Sequence, residues 1–255
     1  MEPFFAVEGL TRRFGGLIAL DNLSFQVDPG MIFSIIGPNG AGKSTLFNCI
    51  CGLYEPDAGR VLFQAETITG EKPHRVARRG IGRTFQNLEL FRHMTTMDNL
   101  MLGRHLHMRS GVWSGATMFH RGSRAAREEQ EHRARVEEII DLLRLHAARD
   151  RYIWQLPYGT QKLVELGRAL ATKPKLLLLD EPAAGMNLEE RQDLIFWIAD
   201  IRDELGVTIL MIEHNMQMVM GISDHVLALD FGRAIASGSP REVAADPEVV
   251  RAYLG

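Results

Sequence analysis

No apolar run in the chain approaches the roughly 20 residues needed to span a bilayer, which removes a helical membrane span from the expected architecture. No secretory signal is visible in the opening residues, and none is expected. Met1-Glu2-Pro3-Phe4-Phe5 begins with an acid and soon enters a strand pattern. A soluble protein, or one at most peripheral to a membrane, is the expectation. Cysteine is scarce: Cys49 and Cys51 stand two apart in one helical pattern, point to different sides, and argue against a disulfide. They read as small buried residues in a reducing compartment. An excess of one charge is lacking too. A net charge of −3 gives no bulk attraction for nucleic acid, so no nucleic-acid partner is expected.

At 45% hydrophobic and 24% charged, the 255 residues have ample material for a core. The most informative stretch is Gly37-Pro38-Asn39-Gly40-Ala41-Gly42-Lys43-Ser44-Thr45, which fits G-x-x-x-x-G-K-[ST]. Met31–Ile36 before it reads as a buried strand, and Thr45–Leu53 after it as a helix ending near Gly52. Gly37, Gly40 and Gly42 let successive N–H groups turn toward an anion. The following helix adds the positive end of its dipole. Lys43 reaches β- and γ-phosphates, and the Ser44 hydroxyl is a ligand for Mg²⁺.

Around this loop, Phe4–Val7, Leu23–Val27 and Arg60–Gln64 read as strands, and His74–Arg79 as a solvated helix face. From about Leu88 to Leu156 strand signals vanish. Helices are expected over 95–107 and 123–146, with an irregular stretch at 108–120 between them. His105-x-His107 lacks further ligands, and these and the scattered His120, His132 and His146 read as surface residues. The pattern resumes at Lys175 with strands at Leu176–Leu179, Val207–Ile212 and Val226–Leu229. A helix with Leu194, Ile198, Ile201 and Leu205 on one face lies among them. The tail reads as short and amphipathic. Strands alternating with helices imply an α/β fold with a mostly parallel sheet and an all-helical insert.

In such a sheet ligands sit at the carboxyl ends of strands. Asp180 closes the leucine run and suits Mg²⁺ held through water; Glu181 suits a general base. A helix N-cap is the plainer reading of that pair. Gln86 lies where the α/β core gives way to the insert, and His214 follows the next strand. A neutral His there can hydrogen-bond a γ-phosphate or water. Phe14, as a lone aromatic, reads as core.

Taken in this order, these residues resemble the ATP-binding subunit of ABC transporters over essentially the whole length. The resemblance implies a P-loop NTPase fold with an N-terminal antiparallel β subdomain and an inserted α-helical subdomain. Residues 1–87 and 173–255 would form the core and 88–172 the insert. It implies ATP and Mg²⁺ as ligands, Walker A at 37–45, and Walker B at 176–180. Glu181, His214 and Gln86 would act in catalysis, Gln86 also on the metal, and Phe14 on adenine. Leu156-Pro157-Tyr158-Gly159-Thr160-Gln161-Lys162 occupies the place of the family's signature segment. Tyr158 and Gly159 would thus touch ATP held by a second ATPase subunit, identical or paralogous. A permease at the cytoplasmic face of the membrane and, indirectly, a solute receptor outside it complete the implied partners.

Several spellings resemble more closely the ATPases of high-affinity branched-chain amino acid importers: Arg13-Phe14-Gly15-Gly16-Leu17, Arg83-Thr84-Phe85-Gln86-Asn87, Glu181-Pro182-Ala183-Ala184-Gly185-Met186-Asn187 and Ala252-Tyr253-Leu254-Gly255. ATPases of urea, amide, aromatic-acid or lipid systems, and a mainly regulatory subunit, are the alternatives. The signature departs from the family's usual Leu-Ser-Gly-Gly-Gln, because Pro157 offers neither hydroxyl nor N–H. The expectation is a signature that works but closes ATP less tightly.

Overall fold

The computed structural model describes residues 3–108 and 124–254. The irregular stretch expected at 108–120 falls, from residue 109 on, outside the described residues, and His120 with it. The chain divides into two compact units. One comprises Met1–Gln86, Lys175–Ala184 and Arg191–Gly255, and the other Asn87–Pro174 and Gly185–Glu190.

In chain order the first unit opens with β1 (Phe5–Phe14), β2 (Leu17–Val27), β3 (Ile32–Ile36), α1 (Lys43–Ile50), β4 (Ala58–Phe63), β5 (Glu66–Thr67), α2 (Pro73–Arg79) and β6 (Ile81–Arg83). The second unit carries α3 (Thr96–Arg104), α4 (Arg124–Leu142) and α5 (Tyr158–Ala171). There follow β7 (Leu176–Asp180), α6 (Leu188–Leu205), β8 (Thr208–Ile212), α7 (Met216–Ile222), β9 (His225–Asp230), β10 (Arg233–Gly238), α8 (Pro240–Ala245) and α9 (Pro247–Leu254).

Two sheets build the first unit. β2-β1-β4-β5 is antiparallel throughout. The other runs β10-β9-β3-β8-β7-β6, parallel except at its β10 edge. One apolar cluster, with Phe5, Leu20, Phe33, Leu46, Phe47, Leu178 and Leu210 among its members, joins both sheets to α1. Each such fully buried side chain contributes about 1.5–3 kcal/mol relative to exposure. On the opposite face of the parallel sheet Ile36, Val219, Val226, Ala228, Val243 and Val249 form a smaller cluster.

The structure corrects several expected boundaries. β1 and β2 form one long hairpin rather than two short strands. Register shifts between Val7 and Leu10 and between Leu10 and Arg12, with Gly9 and Asn22 at positive φ, break the apolar alternation that marks a strand. β6 spans three residues, too few to show a period, and β10 is a largely exposed edge strand. The helix expected to reach 146 stops at Leu142, because Arg144 takes φ 53, and a short 3-10 turn follows at His146–Ala148.

Within the second unit, Thr95 and Asp98 form a capping box that starts α3. α4 buries Val136 and Ile140, with Leu143 just beyond its end. His107 Nε2 lies 2.8 Å from the Thr172 carbonyl. No described helix is long and apolar enough to cross a membrane.

Candidate nucleotide site

The loop between β3 and α1 is shaped by two glycines that nothing larger replaces. Gly37 has φ 151, and a Cβ there would lie 2.2 Å from the Leu229 carbonyl oxygen. Gly42 has φ 101, and a Cβ would lie 2.3 Å from the Ala19 carbonyl oxygen. Gly42 is also the N-cap of α1, and no side chain caps that helix. Its first N–H groups are therefore directed into the loop, as a bound anion requires. The loop is held from outside as well: Gly232 N–H donates to the Ala41 carbonyl at 3.0 Å.

Lys43 is buried beneath the loop. Its Nζ donates to the carbonyls of Gly37 at 2.6 Å and Pro38 at 2.9 Å. Burial lowers its pKa, against the opposing pull of Glu181 and Asp180. Asn39, Gly40 and Ser44 are exposed, Pro38 and Thr45 half-buried and Ala41 buried.

Strand register brings Asp180 to the same rim. Ile35 pairs with Ile212, and Ile212 pairs with Asp180. Asp180 thus lies two strand spacings, roughly 10 Å, from the strand that feeds the loop. Its carboxylate accepts a hydrogen bond from Arg83 at 2.8 Å, in a pair almost closed to solvent. Arg83 also donates to Asn48 at 2.8 Å and lies over the rings of Phe47 and Phe85. Sequence reading missed Arg83, whose only signal was a cation at the end of a very short strand.

Glu181 adopts φ 48, uncommon for a residue with a side chain. Its N–H donates to the Ile212 carbonyl at 2.9 Å, and its carbonyl accepts the Ala184 N–H at 3.1 Å, so the chain turns as β7 ends. The Glu181 carboxylate accepts a hydrogen bond from Gln86 Nε2 at 3.1 Å and lies 3.9 Å from His214 Nδ1. Gln86, Glu181 and His214 therefore converge.

Beneath them is a second residue that sequence reading missed. Glu213 is 1% exposed. One carboxylate oxygen accepts the Ala183 N–H at 3.1 Å, and the other accepts those of His214 at 2.8 Å and Asn215 at 2.9 Å. Its sequence signal was an acid directly after the apolar run Ile209–Ile212. Asn215 in turn caps α7 by accepting from Met218 N–H at 2.9 Å.

Phe14 ends β1 and is partly exposed rather than core. Tyr54 meets it edge-on at 5.3 Å, and Arg12 lies over its ring at 4.8 Å. Tyr158 and Gly159 belong to the second unit, at the start of α5. Pro157 is the N-cap there, with φ −55 and ψ 152. The Tyr158 ring packs against Gly185, and the Glu190 carboxylate lies against Gly159.

The oxygens of Ser44, Asp180 and Gln86 are hard donors, a set that suits Mg²⁺ better than a soft metal. The two thiols are held protonated: burial pushes Cys49 up to about 11 and also raises Cys51. Both are free of disulfides.

Residues 20–184 match the family described as ABC transporter. Residues 235–255 match one described as branched-chain amino acid ATP-binding cassette transporter. The chain is 42% identical over 253 residues to the high-affinity branched-chain amino acid transport ATP-binding protein BraF of Pseudomonas aeruginosa, covering 99% of this chain and 98% of that protein. It is 42% identical over 254 residues to the corresponding LivG protein of Escherichia coli K12, covering 100% and 98%. A solved ATP-binding cassette of an ABC transporter in its ADP conformation aligns with a TM-score of 0.86 at 34% identity, over 100% of both chains.

Proposed function

The chain belongs to the ABC transporter family, as an ATP-hydrolysing subunit that powers transport, and from that premise we propose that it drives import of branched-chain amino acids through a membrane permease. The observation that carries the catalytic reading is the convergence of Gln86 and His214 on Glu181, beside the strand row that ends in Asp180. The names of the two relatives and the match at residues 235–255 support the solute class.

In this reading the loop at residues 37–45 takes the phosphates of ATP, through its N–H groups from Asn39 onward. Lys43 exchanges the Gly37 and Pro38 carbonyls for β- and γ-phosphate oxygens. Glu181, oriented by Gln86, accepts the proton of the attacking water. His214 hydrogen-bonds the γ-phosphate, and Phe14 stacks on adenine. Ser44, Asp180 and Gln86 would hold Mg²⁺, which when bound neutralises charge on the phosphate oxygens. A second subunit, identical or paralogous, supplies Tyr158 and Gly159 across a head-to-tail interface, so that closure on ATP pulls on a permease at the cytoplasmic face of the membrane.

The test is ATP turnover by this chain assembled with its membrane subunits. Leucine-, isoleucine- or valine-loaded solute receptor is expected to stimulate it. Stimulation only by urea, an amide or an aromatic acid would reassign the solute, and an assembled complex without turnover would overturn the whole reading.

A further inference from the structure

Tyr253 has no part in the chemistry above, yet it reaches the phosphate loop. α9 begins at Pro247, and the Asp246 carboxylate accepts from Glu248 N–H at 2.7 Å, fixing its first turn. Val249 is buried in the same apolar cluster as Ile36, the last residue of β3. Tyr253 follows Val249 by four residues and therefore shares its helix face. Its hydroxyl accepts the Gly37 N–H at 2.8 Å.

Gly37 is buried and lies just beyond the end of β3, so its N–H needs an acceptor from elsewhere. Both polar groups of this residue are tied: the N–H to Tyr253, the carbonyl to Lys43. The Tyr253 bond is to the N–H, so it stays in place when Lys43 leaves the carbonyl for a phosphate. Burial raises the Tyr253 pKa, which keeps the hydroxyl protonated and neutral at physiological pH.

We propose that Tyr253 is a positioning residue for nucleotide binding: through the Gly37 N–H it holds the start of the loop in the shape that presents the following N–H groups to phosphate, coupling the C-terminal helix to ATP. The inference rests on ATP occupying this loop and is independent of the solute carried. Coupling is reciprocal, so nucleotide steadies the helix as the helix steadies the loop.

Tyr253→Phe removes the acceptor and leaves the ring. The variant is compared with the wild-type chain by titration with a fluorescent ATP analogue, steady-state turnover and amide exchange across residues 36–42. The expected results are a dissociation constant raised about two- to tenfold, an unchanged kcat at saturating ATP and faster exchange in the loop. An unchanged dissociation constant or unchanged exchange overturns the proposal. So does a lower kcat at unchanged affinity, the mark of a general structural defect. A wild-type chain that fails to bind the analogue would instead overturn the nucleotide-site reading itself.

Discussion

Glu213 is almost completely withdrawn from water and has three backbone N–H groups in its place, from Ala183, His214 and Asn215. Those bonds fasten the turn after Glu181 to the turn that bears His214. The carboxylate touches neither phosphate loop nor Gln86 side chain in these contacts, so its contribution is positional. Glu213→Gln turns one acceptor oxygen into an amide NH2 that opposes an N–H. Losing a hydrogen bond to a buried charged group costs about 1.5–3 kcal/mol. We expect kcat to fall by roughly tenfold or more while the KM for ATP changes little. Turnover within twofold of wild type would sink this role. Why this residue was hidden, while Lys43 was plain, follows from where the partners lie. In the proposed site the loop Gly37–Thr45 meets phosphate as consecutive residues, so its chemistry is written in one window. Glu213 is defined by Ala183, and Arg83 by Asp180 far along the chain, and neither pairing leaves a local pattern.

α5 starts from a proline in extended geometry, and no side chain caps it. Gln161 Nε2 donates to the Leu156 carbonyl at 2.8 Å, which ties the first turn to the residue before the proline. Pro157→Ser adds the hydroxyl that a good N-cap uses, about 1 kcal/mol of helix stability, together with an N–H. In the proposed interface the same two groups reach γ-phosphate. ATP-driven association and turnover are therefore expected to rise several-fold, read by sedimentation and phosphate release; if both stay at wild-type values, the signature is not weakened by its proline. Elements differ in how openly they appear in the sequence. α4 has unbroken helical spacing through Val136 and Ile140, whereas β1 and β2 hide behind bulges at Gly9 and Asn22. An exposed edge strand such as β10 has no buried face and so no alternation to read.

At the scale of the whole molecule, the alternation of strands and helices announced an α/β protein, but not that β3 lies between β9 and β8. Sequence order carries no term for which strands neighbour one another; hydrogen bonding sets that. The order matters because it aligns Ile35, Ile212 and Asp180 in one row and gathers the loop, Asp180 and Glu181 at one rim. A site opened at a rim in this way is suited to closure by a second subunit. Glu181→Gln keeps the shape and removes the proposed base, so with ATP and Mg²⁺ the variant is expected to elute at twice the monomer mass, with turnover reduced at least about a hundredfold. Undiminished hydrolysis would take Glu181 out of the role of base. Observing that closure calls for a probe, and here the two cysteines matter again. Cys49 and Cys51 are the only cysteines in the chain, and burial holds both thiols protonated at neutral pH. The native protein is expected to label slowly with a thiol-reactive dye. A lone cysteine introduced at an exposed position such as Phe196 on α6 would carry the fluorophore by itself, and each cycle of ATP could be followed as emitted light without altering any other residue.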